Sequence, residues 1–177
     1  KAMYPRLAAE RLHRLARQFP AIFILGPRQA GKTTLAGLAF PDLPRLDCED
    51  PLTADLLRRE ARHAIAARER GGLVLDEVQA VPGVFAVLRG MIDADRRRNG
   101  RFILLGSAQP GLVRGVSETL TGRAAMVDLA PLAACEARAA DPAAGHPRVA
   151  GQGAVRLRHL DAAVARPGAS SASRARS

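Results

Sequence analysis

The stretch Ala21-Ile22-Phe23-Ile24-Leu25-Gly26-Pro27-Arg28-Gln29-Ala30-Gly31-Lys32-Thr33-Thr34 decides the fold. Its first five residues are an apolar run that reads as a buried strand. Gly26 to Thr33 then fits G-x-x-x-x-G-K-[ST], a loop that wraps phosphate, and Thr33 to Ala39 reads as the helix that must follow it. Of the 27 Lys and Arg residues only Lys1 and Lys32 are lysines, and Lys32 closes this motif. A compact ammonium with three donors slips among phosphate oxygens where the planar arginine fork would not fit. Gly26 and Gly31 are expected to give the loop backbone angles closed to other residues, so that successive N–H groups face an anion. Thr33 is expected to offer its hydroxyl to Mg²⁺.

Working outward, a chain of 177 residues with 47% hydrophobic residues can bury the core of one ordinary domain. Cys48 and Cys135 suggest no secreted disulfide framework and read as reduced thiols. The apolar runs are of strand length, far from the roughly 20 residues that span a bilayer, and no signal-peptide core follows the charged start. The expected compartment is the cytoplasm, with no membrane partner. His13, His63, His146 and His159 lack metal-ligand spacing and read as surface residues. The net charge of +10 invites a nucleic-acid reading, but half of it lies in 137–177, where seven arginines face two aspartates. Aromatic residues make up 3% of the chain and leave few platforms for stacking bases, so nucleic acid is a weakly supported partner. Arg96-Arg97-Arg98 reads as a solvated helix end.

Up to about residue 135 strands and helices alternate. Arg6 to Arg17 reads as an amphipathic helix with Leu7, Leu12 and Leu15 inward. After the first strand, the loop and its helix, Arg45 to Cys48 is a second strand, and Glu49-Asp50-Pro51 opens a charged helix running to about Arg68. Leu73 to Leu75, Phe102 to Leu105 and Ala124 to Leu129 read as strands three to five, separated by a helix from Val84 to Arg97 and another marked by Leu112, Val116 and Leu120. This alternation predicts a parallel sheet covered on both faces.

Strand three ends in Asp76-Glu77. Ligands collect at the C-terminal ends of strands in open α/β sheets, so Asp76 is placed to hold Mg²⁺ and Glu77 to orient a water for in-line attack on a γ-phosphate. Strand four ends in Gly106-Ser107, where Ser107 reads either as a sensor of the γ-phosphate or as a helix cap. Arg123, just before strand five, reads either as a surface residue or as an arginine finger reaching a neighbouring subunit, which would make a homo-oligomer.

Leu25 to Thr34, Leu75-Asp76-Glu77-Val78-Gln79, Leu104 to Ala108 and Val116 to Arg123 together resemble bacterial and archaeal AAA-type ATPases of undefined role. In those proteins the core is followed by a nuclease-like domain. The resemblance covers about residues 4 to 135. It implies a three-layer α/β P-loop NTPase fold with a five-stranded parallel sheet in the order 5-1-4-3-2, and ATP with Mg²⁺ as ligands. Gly26, Pro27, Gln29, Ala30, Gly31, Lys32, Thr33, Thr34 and Ser107 would bind the nucleotide, with Thr33 and Asp76 on the metal. Lys32, Glu77 and Arg123 would be catalytic.

Residues 1–135 are therefore read as the ATPase domain, and 136–177 as an Arg/Ala/Pro/Ser-rich tail, largely disordered, in place of the family's second domain. Within it Gly151 to Leu160 suggests one helix, and the tail as a whole reads as a truncation or frame-shifted end. Three functions follow. The first is an ATPase coupled to an unknown protein partner or appended domain. The second is a nucleotide-binding switch or remnant with little turnover. The third is a small-molecule kinase, which Asp76-Glu77 argues against.

Overall fold

The apolar runs become the middle of a sheet because each is too hydrophobic to leave either face in water. The computed structural model describes residues 6–129 and 155–158. β1 (Ala21–Leu25) is wholly buried and pairs in parallel with β4 (Phe102–Gly106) on one side and β5 (Ala124–Leu129) on the other. β3 (Leu73–Asp76) follows β4, and the three-residue β2 (Arg45–Asp47) forms the far edge. The full order is β2-β3-β4-β1-β5-β6, which contains the expected order of five strands.

Alternate residues of each strand enter different clusters. Phe23, Leu25, Leu75, Phe102, Leu104 and Met126 pack with α3 (Pro51–Ala66), α4 (Val84–Ala94) and α5 (Pro110–Leu120). Ile22, Ile24, Val74, Ile103, Leu105 and Val127 pack with α1 (Arg6–Ala16) and α2 (Lys32–Ala39). This is the period-two rule acting on strands buried on both sides, and it yields three layers. Leu12 and Leu15 are buried as expected, whereas the side chain of Leu7 lies outside the described part.

Three sequence expectations change. Where a helix was expected across 151–160, residues 155–158 form the strand β6, antiparallel to β5 with Leu129 opposite Val155. The sequence Val-Arg-Leu-Arg alternates with period two, and the outer edge of β5 offers unpaired backbone groups that a strand satisfies. The remainder of the expected tail, and Cys135, lie outside the described residues. The helix expected to run to Arg97 stops at Ala94. Its arginines find better acceptors: Arg96 forks onto Asp93, and Arg98 donates to the carbonyls of Glu69 and Arg70 at 2.6 and 2.7 Å. The helix-end reading therefore fails for all three arginines: Arg97 is exposed but lies beyond the helix, and Arg98 is bound to carbonyls. Finally, α3 bends at Glu60, whose φ of −137° is not helical.

At the N-terminal end of the sheet Arg101 and Glu69 form a buried pair, with the Arg101 fork donating to both Glu69 oxygens at 2.8 to 3.2 Å and to the carbonyl of Met91 at 2.7 Å. This clasp ties the turn after α3 and the end of α4 to the start of β4. The opposite end of the sheet is left for the glycine-rich loop.

Candidate functional site

β1 delivers the loop between its last residue, Leu25, and the first turn of α2. Gly31 takes a left-handed conformation with φ 84°, as expected, and Gln29 does so at φ 63°. Gly26 serves a different purpose from the one expected, because its φ is not positive. A Cβ there would lie 2.6 Å from the carbonyl oxygen of Leu129, so Gly26 is needed for the close approach of the loop to the end of β5.

Lys32, the first residue of α2, is 4% exposed. A buried ammonium requires acceptors. Its Nζ donates to the carbonyls of Gly26 at 3.2 Å and Pro27 at 3.1 Å and lies 4.0 Å from Glu77 Oε1. The charge is thus held at the centre of its own loop. One residue on, Thr33 Oγ1 donates to Asp76 Oδ2 at 2.9 Å, joining the loop to the end of β3. Burial pushes the Asp76 carboxyl above the ordinary range; the Thr33 hydrogen bond opposes this, and the neighbouring Glu77 charge adds to it.

Glu77 follows in a left-handed conformation, φ 49° and ψ 48°, which for a non-glycine residue costs about 1–2 kcal/mol. Its Oε2 accepts from Gln79 Nε2 at 2.5 Å, so the carboxylate is gripped between that amide and the Lys32 ammonium. Gln79 Oε1 in turn accepts the backbone N–H of Ser107 at 3.4 Å. Ser107 Oγ is buried and has no partner among the described residues. A polar atom left so has lost its water without compensation, and a passing ligand oxygen would satisfy it.

The structure therefore brings together Lys32, Thr33, Asp76, Glu77 and Ser107 at the C-terminal ends of β1, β3 and β4. Pro27 contributes a carbonyl, Ala30 packs into the core beneath, and Gln29 and Thr34 are exposed at the loop and the first turn of α2. Arg123 is not brought there. It precedes Ala124, which pairs with Ala21 at the start of β1, so a full strand of roughly 17 Å separates it from the loop. Its fork is closed on Asp93 at 2.8 and 2.9 Å, which holds that carboxyl below the usual range, with Arg96 assisting.

Gln79 was missed by sequence reasoning, although it lies two residues beyond Glu77 and its backbone is fixed by the buried Val78. Arg28 was also missed; it bridges the loop to Glu49 beyond β2 at 2.8 Å. Cys48 is a free buried thiol pushed up to about 12 by burial and by Asp47, Asp76 and Glu77, so it remains protonated at neutral pH. No group of three or more His, Cys, Asp and Glu residues placed to hold a metal ion occurs among the described residues. No helix among them is long and apolar enough to cross a membrane. A cleft of about 510 Å³ between α3 and Val81–Gly83 shares no residue with this group, so surface depth does not mark the site.

A parallel sheet of this order, with a glycine-rich lysine loop after its central strand and an acidic pair after β3, defines the class of P-loop nucleotide-binding domains. Residues 18–137 match the AAA domain family, and the chain belongs to it, as an ATP-binding core of ATPase type. Two uncharacterized proteins, from Mycobacterium bovis and Mycobacterium tuberculosis, are 42% identical to it over 130 residues, which is 72% of this chain and 29% of theirs. The chain thus spans less than a third of the length of these curated relatives. Among solved structures, the cytoplasmic domain of the type VII secretion ATPase EccC of Thermomonospora curvata overlaps at TM-score 0.37 and 19% identity, over 68% of this chain and 22% of that one. PCH-2 of C. elegans overlaps at TM-score 0.37 and 15% identity, over 69% and 40%. Neither overlap bears on function.

Proposed function

We propose that this core hydrolyses ATP in a Mg²⁺-dependent reaction and transmits the result to a protein partner or an appended segment. The observation that carries the reading is the convergence of Lys32, Thr33, Asp76 and Glu77 at the ends of β1, with its loop, and β3, which β4 separates in the sheet. The residues suit the ligands. Lys32 already grips two carbonyl oxygens, which stand where an ammonium can exchange them for phosphate oxygens. Thr33 and Asp76 present two hard oxygen donors 2.9 Å apart, the donor type that Mg²⁺ takes. When bound, the ion supplies neutralisation of phosphate charge.

The protein's own part is binding, orientation and placement of one base. Gly31 and Gln29 shape the loop so that its N–H groups can face the phosphates, and Lys32 offsets the charge that grows as the terminal phosphoryl group leaves. Glu77 accepts a hydrogen bond from the attacking water and fixes its line of approach. Ser107 Oγ is left to donate to a phosphate or water oxygen. Arg123 in this reading acts on a neighbouring copy, since its own site lies a strand away.

The deciding experiment compares ATP binding and turnover of the wild type and Glu77→Gln. The amide keeps the size of the side chain but is a poor base, so binding should be unchanged and turnover about 100-fold slower or more. Equal loss in both assays would contradict the assignment of Glu77, and a wild type that binds ATP without turnover would replace the ATPase reading with that of a binding switch.

A further inference from the structure

One side chain near the site has no role in the reaction so far described, yet it touches two of its members. Gln79 lies in a single 3-10 turn, Val78–Ala80, which starts from the left-handed Glu77 and is anchored by the fully buried Val78. Its amide nitrogen donates to Glu77 Oε2 at 2.5 Å, and its amide oxygen accepts the N–H of Ser107 at 3.4 Å. The orientation is chemically determined, because a flipped amide would set oxygen against carboxylate and NH₂ against N–H. A donor at one end and an acceptor at the other, on a side chain of this length, is what a carboxamide offers. Lysine lacks the acceptor, and an ionised glutamate lacks the donor.

The fold also makes room for this contact. A Cβ on Gly106 would stand 3.0 Å from Gln79 Oε1 and 2.9 Å from Leu112 Cδ2, so any other residue at the end of β4 would press the amide away. The turn therefore bridges the ends of β3 and β4 through one side chain. Lys32 is the cation near Glu77 among the described ion pairs, at 4.0 Å, and that contact weakens once the ammonium turns to phosphate. Gln79 then remains as the group that holds the carboxylate.

We propose that Gln79 is a positioning residue, a carboxamide clamp that fixes the Glu77 carboxylate relative to the end of β4 and so passes a displacement at Ser107 to the group that orients the water. The inference rests on the ATPase reading above and deepens it, by naming how the β4 end is coupled to the base. It makes Glu77 the point through which Gln79 acts, so removing Gln79 should matter only while Glu77 is a base.

The test is a double-mutant cycle on the full chain, with Gln79→Met, Glu77→Gln and the double variant, measuring kcat under single-turnover conditions and Kd for a fluorescent ADP analogue. Methionine keeps the length and volume of glutamine and removes both polar contacts. Gln79→Met should lower kcat about tenfold to 100-fold, the scale of a misplaced catalytic group, with Kd changed less than about twofold. In the Glu77→Gln background the same change should alter kcat less than about twofold. A purely structural role predicts the full factor in both backgrounds, or a parallel loss in Kd, and either result overturns the proposal. Thermal unfolding of each variant checks the fold. Should Gln79→Met not fold, Gln79→Asn decides: it keeps the amide but is one methylene too short to reach both partners, so a wild-type kcat in it overturns the clamp. A wild type without turnover overturns the ATPase reading along with this one, whereas wild-type turnover beside an unchanged Gln79→Met overturns the clamp alone.

Discussion

Replacing Lys32 by methionine removes one charge and leaves the packing volume of the side chain in place. In the free protein Lys32 Nζ makes two hydrogen bonds to neutral carbonyls, at 3.1 and 3.2 Å, in a setting that leaves the residue 4% exposed. On binding nucleotide these two bonds are exchanged for bonds to anionic oxygens, so what counts is the difference between the kinds. The ammonium makes both kinds charge-assisted, so the exchange adds the attraction between opposite charges, about 1 kcal/mol at 4 Å in water and about 4 at an effective dielectric of 20. Between these limits the exchange favours the complex by about 2–3 kcal/mol. At 1.4 kcal/mol per decade this is an affinity loss of about 30- to 150-fold for Lys32→Met. Titration calorimetry with ATP and Mg²⁺ measures it, with thermal unfolding of the free variant as the control. Lys32→Arg should fail as well, because the guanidinium is too wide for the space between the Gly26 and Pro27 carbonyls. A loss below about threefold in a folded Lys32→Met would show that the loop carbonyls are the true partners of Lys32, and that its part is to brace the loop.

Three further outcomes follow from the geometry. Burial raises the Asp76 carboxyl, so its contribution to stability is fully present below the unfolded value and is lost as pH rises through the folded one; metal-free Asp76→Asn should therefore gain in thermal midpoint over the wild type as pH climbs from the carboxylate range toward neutrality, and a constant gap would refute this. Arg101→Met leaves the buried Glu69 with the Arg98 guanidinium 3.8 Å away in place of its two-pronged partner, which costs about 3 kcal/mol or roughly 10 °C in the midpoint, and Glu69→Leu added to it should recover most of that in a calorimetric scan. Arg123→Ala should leave the turnover of a demonstrably monomeric sample unchanged, because its fork sits on Asp93 a strand away from the loop; loss of turnover in that sample would exclude action on a neighbouring copy.

Strand content was legible because β1 and β4 are apolar runs that end at a glycine and β5 is apolar but for Asp128, as strands buried on two faces must be. The order of the strands came with the family resemblance; periodicity alone does not rank neighbours. Helix ends were less legible, because arginine is a good helix former and nothing local announces that Arg98 prefers carbonyls 28 and 29 residues back in the chain. β6 was hidden for a related reason: four residues acquire a strand conformation from the edge they meet. In the site, Lys32, Thr33 and Asp76 were legible from spacing because phosphate loops admit few alternatives. Gln79 and the reason for Gly26 were not, since both depend on what stands opposite in space, Ser107 in one case and Leu129 in the other.

The close approach of Gly26 to Leu129 makes the end of β5 a bearing on which the nucleotide loop rests. Leu129 is opposite Val155 across the ladder, so the bearing is seated on one side by β6 and loaded on the other by the loop. Gly26 also supplies one of the two carbonyls that Lys32 holds. Any side chain at position 26 would therefore press on the end of β5 and displace the carbonyl that Lys32 holds.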